Sequence, residues 1–174
     1  SNLYNIPAVY TITGSMSISS FEKAWDKILM KHEILRTIFI EKDDNHTYQI
    51  ISEKHNPTEI IDAQTWSIHR REEYIKTICK CEFDLQEGPL CLSVLLKIGS
   101  EEFVWVLNFH HIIFDGPSFQ IFFKDILAYY SGKSLAPLKI QFKDFAHHTQ
   151  KQLIEDKLTI SKEFWIQQFK KGVP

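Results

Sequence analysis

Two adjacent histidines followed by an Asp-Gly pair form the most reactive stretch of this sequence: His110, His111, Asp115 and Gly116. Histidine has the unperturbed pKa nearest neutrality, so an imidazole can accept or donate a proton under cellular conditions. Gly116 stands just before a predicted helix, whose first N–H groups are available to an anion or a developing oxyanion. The stretch therefore predicts a site for proton transfer and for positioning of a reactant.

The two histidines are not expected to share one pocket, because adjacent residues of a β-strand point to opposite faces. His111 lies nearer the turn and is the candidate for facing a cavity, whereas His110 is predicted to hydrogen-bond inward. This separation disfavours a two-histidine metal site, and no HxxH, HExxH or CxxC pattern supplies other ligands, so we predict no metal. From the spacing alone, a satisfied core histidine beside an ordinary Asp-Gly turn is an equally good interpretation.

Other reactive side chains lack a recognisable context for covalent catalysis. The sequence has no GxSxG, P-loop or Rossmann glycine pattern. Cys79, Cys81 and Cys91 are an odd number without zinc spacing, which indicates reduced thiols. Arg36 interrupts the apolar segment 34–40 and needs a carboxylate partner if it is buried, although a surface arginine is the alternative interpretation.

The bulk composition indicates one globular domain of 174 residues with a net charge of −2. This charge offers no basic field for nucleic acid or for an anionic membrane surface. No apolar run approaches the roughly 20 residues of a membrane helix, and the N-terminus has no signal-peptide pattern, so a cytoplasmic location is expected. The chain does not begin with methionine, which suggests a piece of a longer protein.

The elements that must position the histidines alternate between β and α patterns. Strands are predicted over 6–13, 35–40, 46–51, 58–63, 90–98 and 103–110, and helices from Ser17 or Ser19 to about Glu33, from Thr65 or Ser67 to about Cys81, and over 118–130, 142–154 and 160–170. A hairpin turn is predicted at 43–45, an edge strand at 58–63, and both faces of 103–110 are apolar, which places that strand inside a covered sheet. The order of elements predicts an α+β fold, with a largely antiparallel mixed sheet covered by helices.

Six blocks, in order, resemble motifs of the condensation domains of nonribosomal peptide synthetases, which belong to the chloramphenicol acetyltransferase-like superfamily. His110–Gly116 matches HHxxxDG. The other five blocks are Tyr4–Pro7 (YNIP), Lys31–Phe39 (RHExLRTxF), Phe83–Leu90 (FDLxxGPL), Phe142–Gln150 (YxDYAxWQ) and Phe164–Pro174 (YWxxxLxGxP). Together the blocks cover nearly the whole chain.

The resemblance implies that residues 1–174 are the N-terminal lobe of a condensation domain whose C-terminal lobe is absent. The HHxxxDG turn would lie at the floor of a tunnel between the lobes. Phosphopantetheine arms of a donor and an acceptor peptidyl carrier protein would enter it from opposite sides. The implied reaction is acyl or peptidyl transfer that forms an amide, with no cofactor bound directly, and the lobe alone is expected to be inactive.

The same resemblance assigns roles to individual residues. His111 would be the catalytic histidine, His110 a structural one, and Gly116 would border the pantetheine path. Asp115 would be structural and paired with Arg36. Phe114 stands where the family commonly has a small residue. The alternatives are an epimerisation domain, an acyl-CoA-dependent acyltransferase of the same fold, or a non-catalytic lobe that docks carrier protein.

Overall fold

The computed structural model describes residues 2–42, 46–53, 56–154, 159–170 and 172. The chain divides into two compact units, Ser1–Leu138 and Lys139–Pro174. The hairpin turn predicted at 43–45 and the last residues of the YWxxxLxGxP block, 173 and 174, lie outside the described residues.

The first unit contains the predicted strands and the first three predicted helices. Its elements are β1 (Asn5–Thr13), α1 (Ile18–Lys31), β2 (Thr37–Glu41), β3 (Thr47–Ile51), β4 (Glu59–Asp62), α2 (Ile68–Cys79), β5 (Cys91–Lys97), β6 (Glu102–His110) and α3 (Gly116–Tyr130). The predicted strand 35–40 begins two residues later than expected, because Glu33–Arg36 form a 3₁₀ segment between α1 and β2. The α+β prediction is confirmed.

The histidines stand at the end of an interior strand. Four strands form a sheet in the order β1-β6-β5-β4, while β2 and β3 form a separate antiparallel pair. β6 pairs antiparallel with both β1 and β5, and β4 pairs parallel with β5. The sheet is therefore mixed and largely antiparallel, with β6 inside it and β4 at an edge, as predicted.

Helices cover the two faces of this sheet. On one face, Trp25 and Ile28 of α1 and Phe122 of α3 pack in one core with the odd-numbered β6 residues, such as Phe109. On the other face, α2 residues pack against a smaller core that includes Val106. Burial of each large apolar side chain stabilises the fold by about 1.5–3 kcal/mol. This alternation sets the direction of every β6 side chain, since a one-residue slip would exchange the two faces.

Serine side chains decide where the first two helices begin. Ser17 has extended backbone angles and its hydroxyl accepts from the N–H of Ser20, so Ser17 is the N-cap of α1. The alternative cap at Ser19 is wrong, because that residue lies within the first turn. Ser67, likewise one of two candidates, caps α2 by accepting from the N–H of Arg70. Each such cap is worth about 1 kcal/mol.

The second unit contains the two helices predicted for the end of the chain, α4 (Phe142–Ile154) and α5 (Thr159–Gln168). Large apolar side chains on both helices are exposed, among them Phe145, Ile160 and Trp165. Within the unit, the rings of Trp165 and Phe169 stack with centroids 5.8 Å apart.

Candidate functional site

Backbone hydrogen bonds hold the histidine turn to the residues that directly precede β5 and β1. The N–H of His110 donates to the carbonyl of Leu90 at 2.9 Å, and the N–H of His111 donates to the carbonyl of Tyr4 at 2.8 Å. The N–H of Ile113 then closes the turn on the carbonyl of His110 at 3.0 Å. The two histidines are thus carried by paired backbone rather than by a loose loop.

Apolar side chains anchor the turn from below. Phe114 is 5% exposed and stacks on Phe109, with ring centroids 3.9 Å apart and planes 6° apart. It also meets Phe119 of α3 edge-on at 4.8 Å. The bulky residue at this position therefore fills the core beneath the turn and does not occupy the space in front of the histidines.

The ring of His110 is half-buried between two aromatic side chains. Tyr4 and Phe83 lie 6.0 and 6.1 Å from it, measured between ring centroids. Its Nδ1 accepts from the backbone N–H of Ile112 at 3.1 Å, which requires a lone pair on that nitrogen and places the proton on Nε2. Burial, and then the neighbouring His111, lower the pKa of His110. His110 is therefore a neutral imidazole that braces the turn.

His111 lies on the exposed side of the turn. The two imidazoles occupy different environments, as strand alternation predicts. The charge of His111 is among the influences that lower the pKa of Asp115, so the two side chains are close enough to interact electrostatically. His111 is the imidazole of this turn that can meet a reactant arriving from solvent.

Asp115 begins helix α3. Its backbone is extended and its Oδ1 accepts from both the N–H and the hydroxyl of Ser118, while the Ser118 hydroxyl accepts from the N–H of Asp115 at 3.3 Å. These bonds form a reciprocal cap of the helix end. Hydrogen bonds from Ser118, followed by the charge of His111, hold the pKa of Asp115 below its ordinary value. The carboxylate is exposed, and it is ionised although no cationic side chain of the described residues is in contact with it.

The predicted pairing of Asp115 with Arg36 is wrong in this structure. Arg36 instead donates through Nε to the carbonyl of Leu29 at 2.9 Å and through a terminal nitrogen to the carbonyl of Ser52. It lines a cavity of about 340 Å³ that Gly88 also lines. Two backbone carbonyls thus accept from the guanidinium. Asp115 is exposed, so no burial of its charge has to be offset by an ion pair.

Gly116 is the first residue of α3 and is exposed. A Cβ built on it would meet no atom within 4 Å, and its φ lies outside the left-handed region. Neither backbone strain nor packing against the described residues requires glycine here. The position therefore leaves open space at the start of α3, beside the turn that carries His111.

A second histidine-aspartate pair, overlooked in the sequence, lies between α1 and α3. Asp125 is 7% exposed, and its Oδ2 accepts from Nζ of Lys31 at 3.0 Å and from Nε2 of His32 at 2.8 Å. Burial alone raises the pKa of Asp125, but the hydrogen bonds from Lys31 and His32 outweigh it and the net pKa is lowered. The sequence feature that could have indicated this pair is a carboxylate on the apolar face of α3, directly before Ile126.

The described residues contain neither a metal-binding cluster nor a membrane-spanning helix. No group of three or more His, Cys, Asp or Glu side chains in this part of the chain has an arrangement that would hold a metal ion. No helix among the same residues combines the length and the apolar character needed to cross a membrane.

Comparison with known proteins identifies the family. The Condensation domain family model matches residues 1–174. The chain is 34% identical over 171 residues to bacitracin synthase 3 of Bacillus licheniformis and 33% identical over 171 residues to gramicidin S synthase 2 of Aneurinibacillus migulanus. Each match covers 98% of this chain but only 3% and 4% of the respective relative.

Solved structures share the fold. The starter condensation domain of rhizomide synthetase superposes with a TM-score of 0.85 at 20% identity, over 97% of this chain and 42% of that chain. The X-domain from teicoplanin biosynthesis, solved in complex with OxyB, gives a TM-score of 0.86 at 23% identity, over 98% of this chain and 39% of that chain. With the family model matching from end to end, the chain belongs to the condensation-domain family of nonribosomal peptide synthetases.

Proposed function

We propose that this chain is the N-terminal lobe of a condensation domain that joins two carrier-bound substrates through an amide bond. The donor is an acyl or peptidyl thioester on the phosphopantetheine of one peptidyl carrier protein. The acceptor is an aminoacyl group on the phosphopantetheine of another. The observation that carries the proposal is the exposed His111, held at the end of an interior strand in a chain of this family.

His111 is proposed to handle the proton of the acceptor amine. The amine nitrogen attacks the thioester carbonyl carbon, the C–N bond forms and the C–S bond breaks. The proton lost by the amine passes to the imidazole and then to the departing pantetheine sulfur, so charge and atoms balance. Proton transfer of this kind contributes typically 10²–10⁴-fold to a rate.

The other residues of the turn have supporting roles in this proposal. His110 braces the turn through the N–H of Ile112, and Asp115 holds the start of α3 through Ser118. Gly116 borders the pantetheine path, which is supported by the open space around its Cα. None of these side chains needs to form or break a bond.

The proposal that a second lobe completes the site is supported by length. The superposition with the starter condensation domain of rhizomide synthetase covers 97% of this chain but only 42% of that one. In this proposal, the other wall of the tunnel comes from residues outside this sequence. We propose that the isolated lobe has no turnover, and that its partners are this second lobe and the two carrier proteins.

The test is substitution of His111 by alanine in the complete domain, supplied with loaded donor and acceptor carriers. We expect the rate of amide formation to fall by about 10²–10⁴-fold, because the proton acceptor is removed. His147→Ala, which removes another exposed histidine from α4, is the matched control and should keep the wild-type rate. Condensation by His111→Ala at the wild-type rate would refute the catalytic role.

Product analysis separates the alternatives within the same fold. A D-aminoacyl product without a new amide would indicate epimerisation, and turnover only with acyl-CoA donors would indicate an acyl-CoA-dependent transferase. Carrier binding without turnover in the complete domain would indicate a docking module. A new amide between the two loaded carriers is the expected outcome.

A further inference from the structure

Asn108 is a fully buried polar side chain two residues before His110 on β6. Residues i and i+2 of a strand share a face, so both side chains lie on the α2 side of the sheet. An apolar residue would be the more stable choice at a position with 0% exposure, because burying an amide costs free energy unless it is fully hydrogen-bonded. Stability alone therefore does not explain an amide at this position.

The amide nitrogen of Asn108 holds the end of helix α2. Nδ2 donates to the carbonyl of Ile78 at 2.8 Å and to that of Cys79 at 3.2 Å, and it lies 3.4 Å from Sγ of Cys81. The last carbonyls of a helix have no partner within the helix. Asn108, which lies on the strand that carries the histidines, supplies hydrogen-bond donors to two of these carbonyls.

Asn5 completes the same connection from β1. It is the register partner of His110, and its Nδ2 donates to the carbonyls of Cys79 at 3.2 Å and Cys81 at 2.8 Å. Two carboxamides from neighbouring strands thus converge on one helix end, with the carbonyl of Cys79 shared between them. Oδ1 of Asn5 and Oδ1 of Asn108 are buried without a hydrogen-bond partner among the described residues. Each side chain thus bonds through its amide nitrogen, which donates to carbonyls at the end of α2.

The end of α2 leads directly to the ring that contacts His110. Phe83 follows Cys81 by two residues and meets the imidazole edge-on at 6.1 Å. The imidazole in turn accepts the N–H of Ile112, which shapes the turn bearing His111. A shift of the helix end would therefore reach His111 through Phe83 and His110.

We propose that Asn108 and Asn5 are positioning residues for the reaction at His111, acting by locking the end of α2 and, through Phe83, the orientation of the His110 ring. This inference rests on the proposed function. It assigns no chemistry to either asparagine, because neither contacts His111.

The test is Asn108→Leu in the complete condensation domain. We expect kcat for amide formation to fall on the order of 10–100-fold with little change in KM, since misplacing a catalytic group by a fraction of an ångström to 1 Å costs rate rather than binding. Nitrogen-15 NMR of the histidine rings gives a readout that does not depend on activity. His110 should show an Nε2–H tautomer in the wild type, and in the variant its signal should shift and its pKa should rise towards the ordinary value.

Thr58→Val is the matched control, because it removes a buried hydroxyl that bonds Ser93, away from the histidine turn. It should lower stability while leaving kcat and the His110 signals unchanged. Asn108→Asp offers a conservative rescue: the carboxyl can donate to the α2 carbonyls only when protonated, so the difference between the variant and wild-type His110 signals, compared at the same pH, should narrow as the pH falls. If Asn108→Leu does not fold, Asn5→Ala at the half-buried edge position should show a smaller shift of the same signals.

Unchanged His110 signals in Asn108→Leu, or an equal loss of kcat in Thr58→Val, would overturn the inference. The outcome is separable from that of the proposed function. Shifted His110 signals together with full activity of His111→Ala would refute the catalytic role of His111 but retain the link from Asn108 to His110. Loss of activity in His111→Ala together with unchanged His110 signals in Asn108→Leu would support the catalytic role of His111 but refute the link from Asn108 to His110.

Discussion

Two histidine-aspartate pairs in this chain have opposite environments. At the end of β6, His111 and Asp115 are exposed, and Asp115 bonds Ser118 rather than a cation. Between α1 and α3, Asp125 is buried, and its carboxylate contacts both the half-buried His32 and Lys31. The residue types are the same, but both members of the first pair are exposed, whereas the carboxylate of the second pair is buried.

On the function proposed above, burial would decide which pair is available for chemistry and which contributes to stability. Desolvation makes the charge of Asp125 dependent on Lys31 and His32, so that pair joins two helices. Asp115 is exposed and caps a helix through Ser118, which is compatible with the role proposed for the exposed His111. The following predictions test this division.

The largest stability effect is expected at the buried pair. Asp125→Ala removes the carboxylate that Lys31 and His32 share, and breaking a buried ion pair by removing one partner costs about 3–5 kcal/mol. Urea unfolding at neutral pH should show this loss as a lower midpoint. A loss below about 1 kcal/mol would mean that the pair does not join α1 to α3 energetically.

Acid titration is the control for that prediction. The pKa of Asp125 is lower in the folded chain than its ordinary value of 3.8, so its contribution is complete above that pH and is lost as the pH falls through the folded-state pKa. Asp125→Asn should therefore differ most from the wild type above pH 4 and converge with it in stronger acid. A stability difference that stayed constant with pH would contradict the electrostatic origin.

A smaller effect is expected from Asp115→Ala. The substitution removes the acceptor for the N–H of Ser118, and loss of an N-cap costs about 1 kcal/mol. Thermal or urea unfolding measures this directly. Asp115→Asn, which keeps a capping oxygen, is the matched variant and should recover most of the stability. A loss as large as that of Asp125→Ala would show that Asp115 has a buried partner after all.

The smallest effect is expected in a double-mutant cycle between Asp115 and Arg36. Because each residue bonds other groups, their coupling energy should be below about 0.5 kcal/mol. The cycle uses Asp115→Ala, Arg36→Ala and the double variant, measured by urea unfolding. A coupling above about 1 kcal/mol would restore the pair that the family resemblance implies.

Local patterns predicted much of this fold because they depend on neighbouring residues. The apolar run 103–110 predicted an interior strand, and Ser17 and Ser67 were each one of two candidate helix caps. The choice between candidates depended on which hydroxyl faced an N–H two or three residues ahead, which is a matter of backbone geometry. The turn around His111 was recognisable for the same reason, since its seven reactive and apolar positions, His110–Gly116, are contiguous.

Contacts between distant residues were not predictable in this way. Asp125 meets Lys31 and His32 only because α1 and α3 pack side by side on one face of the sheet. Asn108 reaches Ile78 and Cys79 only because α2 covers the other face. Nothing in the spacing of these residues along the chain indicates that they meet.

The sequence by itself determined the family, the α+β order of elements and the histidine turn, because these depend on contiguous residues and short-range periodicity. The tertiary structure alone decided the partners of the charged and amide groups. Arg36 lies near two carbonyls rather than Asp115, and Asp125 rather than Asp115 became the buried anion. Which side chains lose water, and therefore which need a partner, is settled only when the helices pack on the sheet.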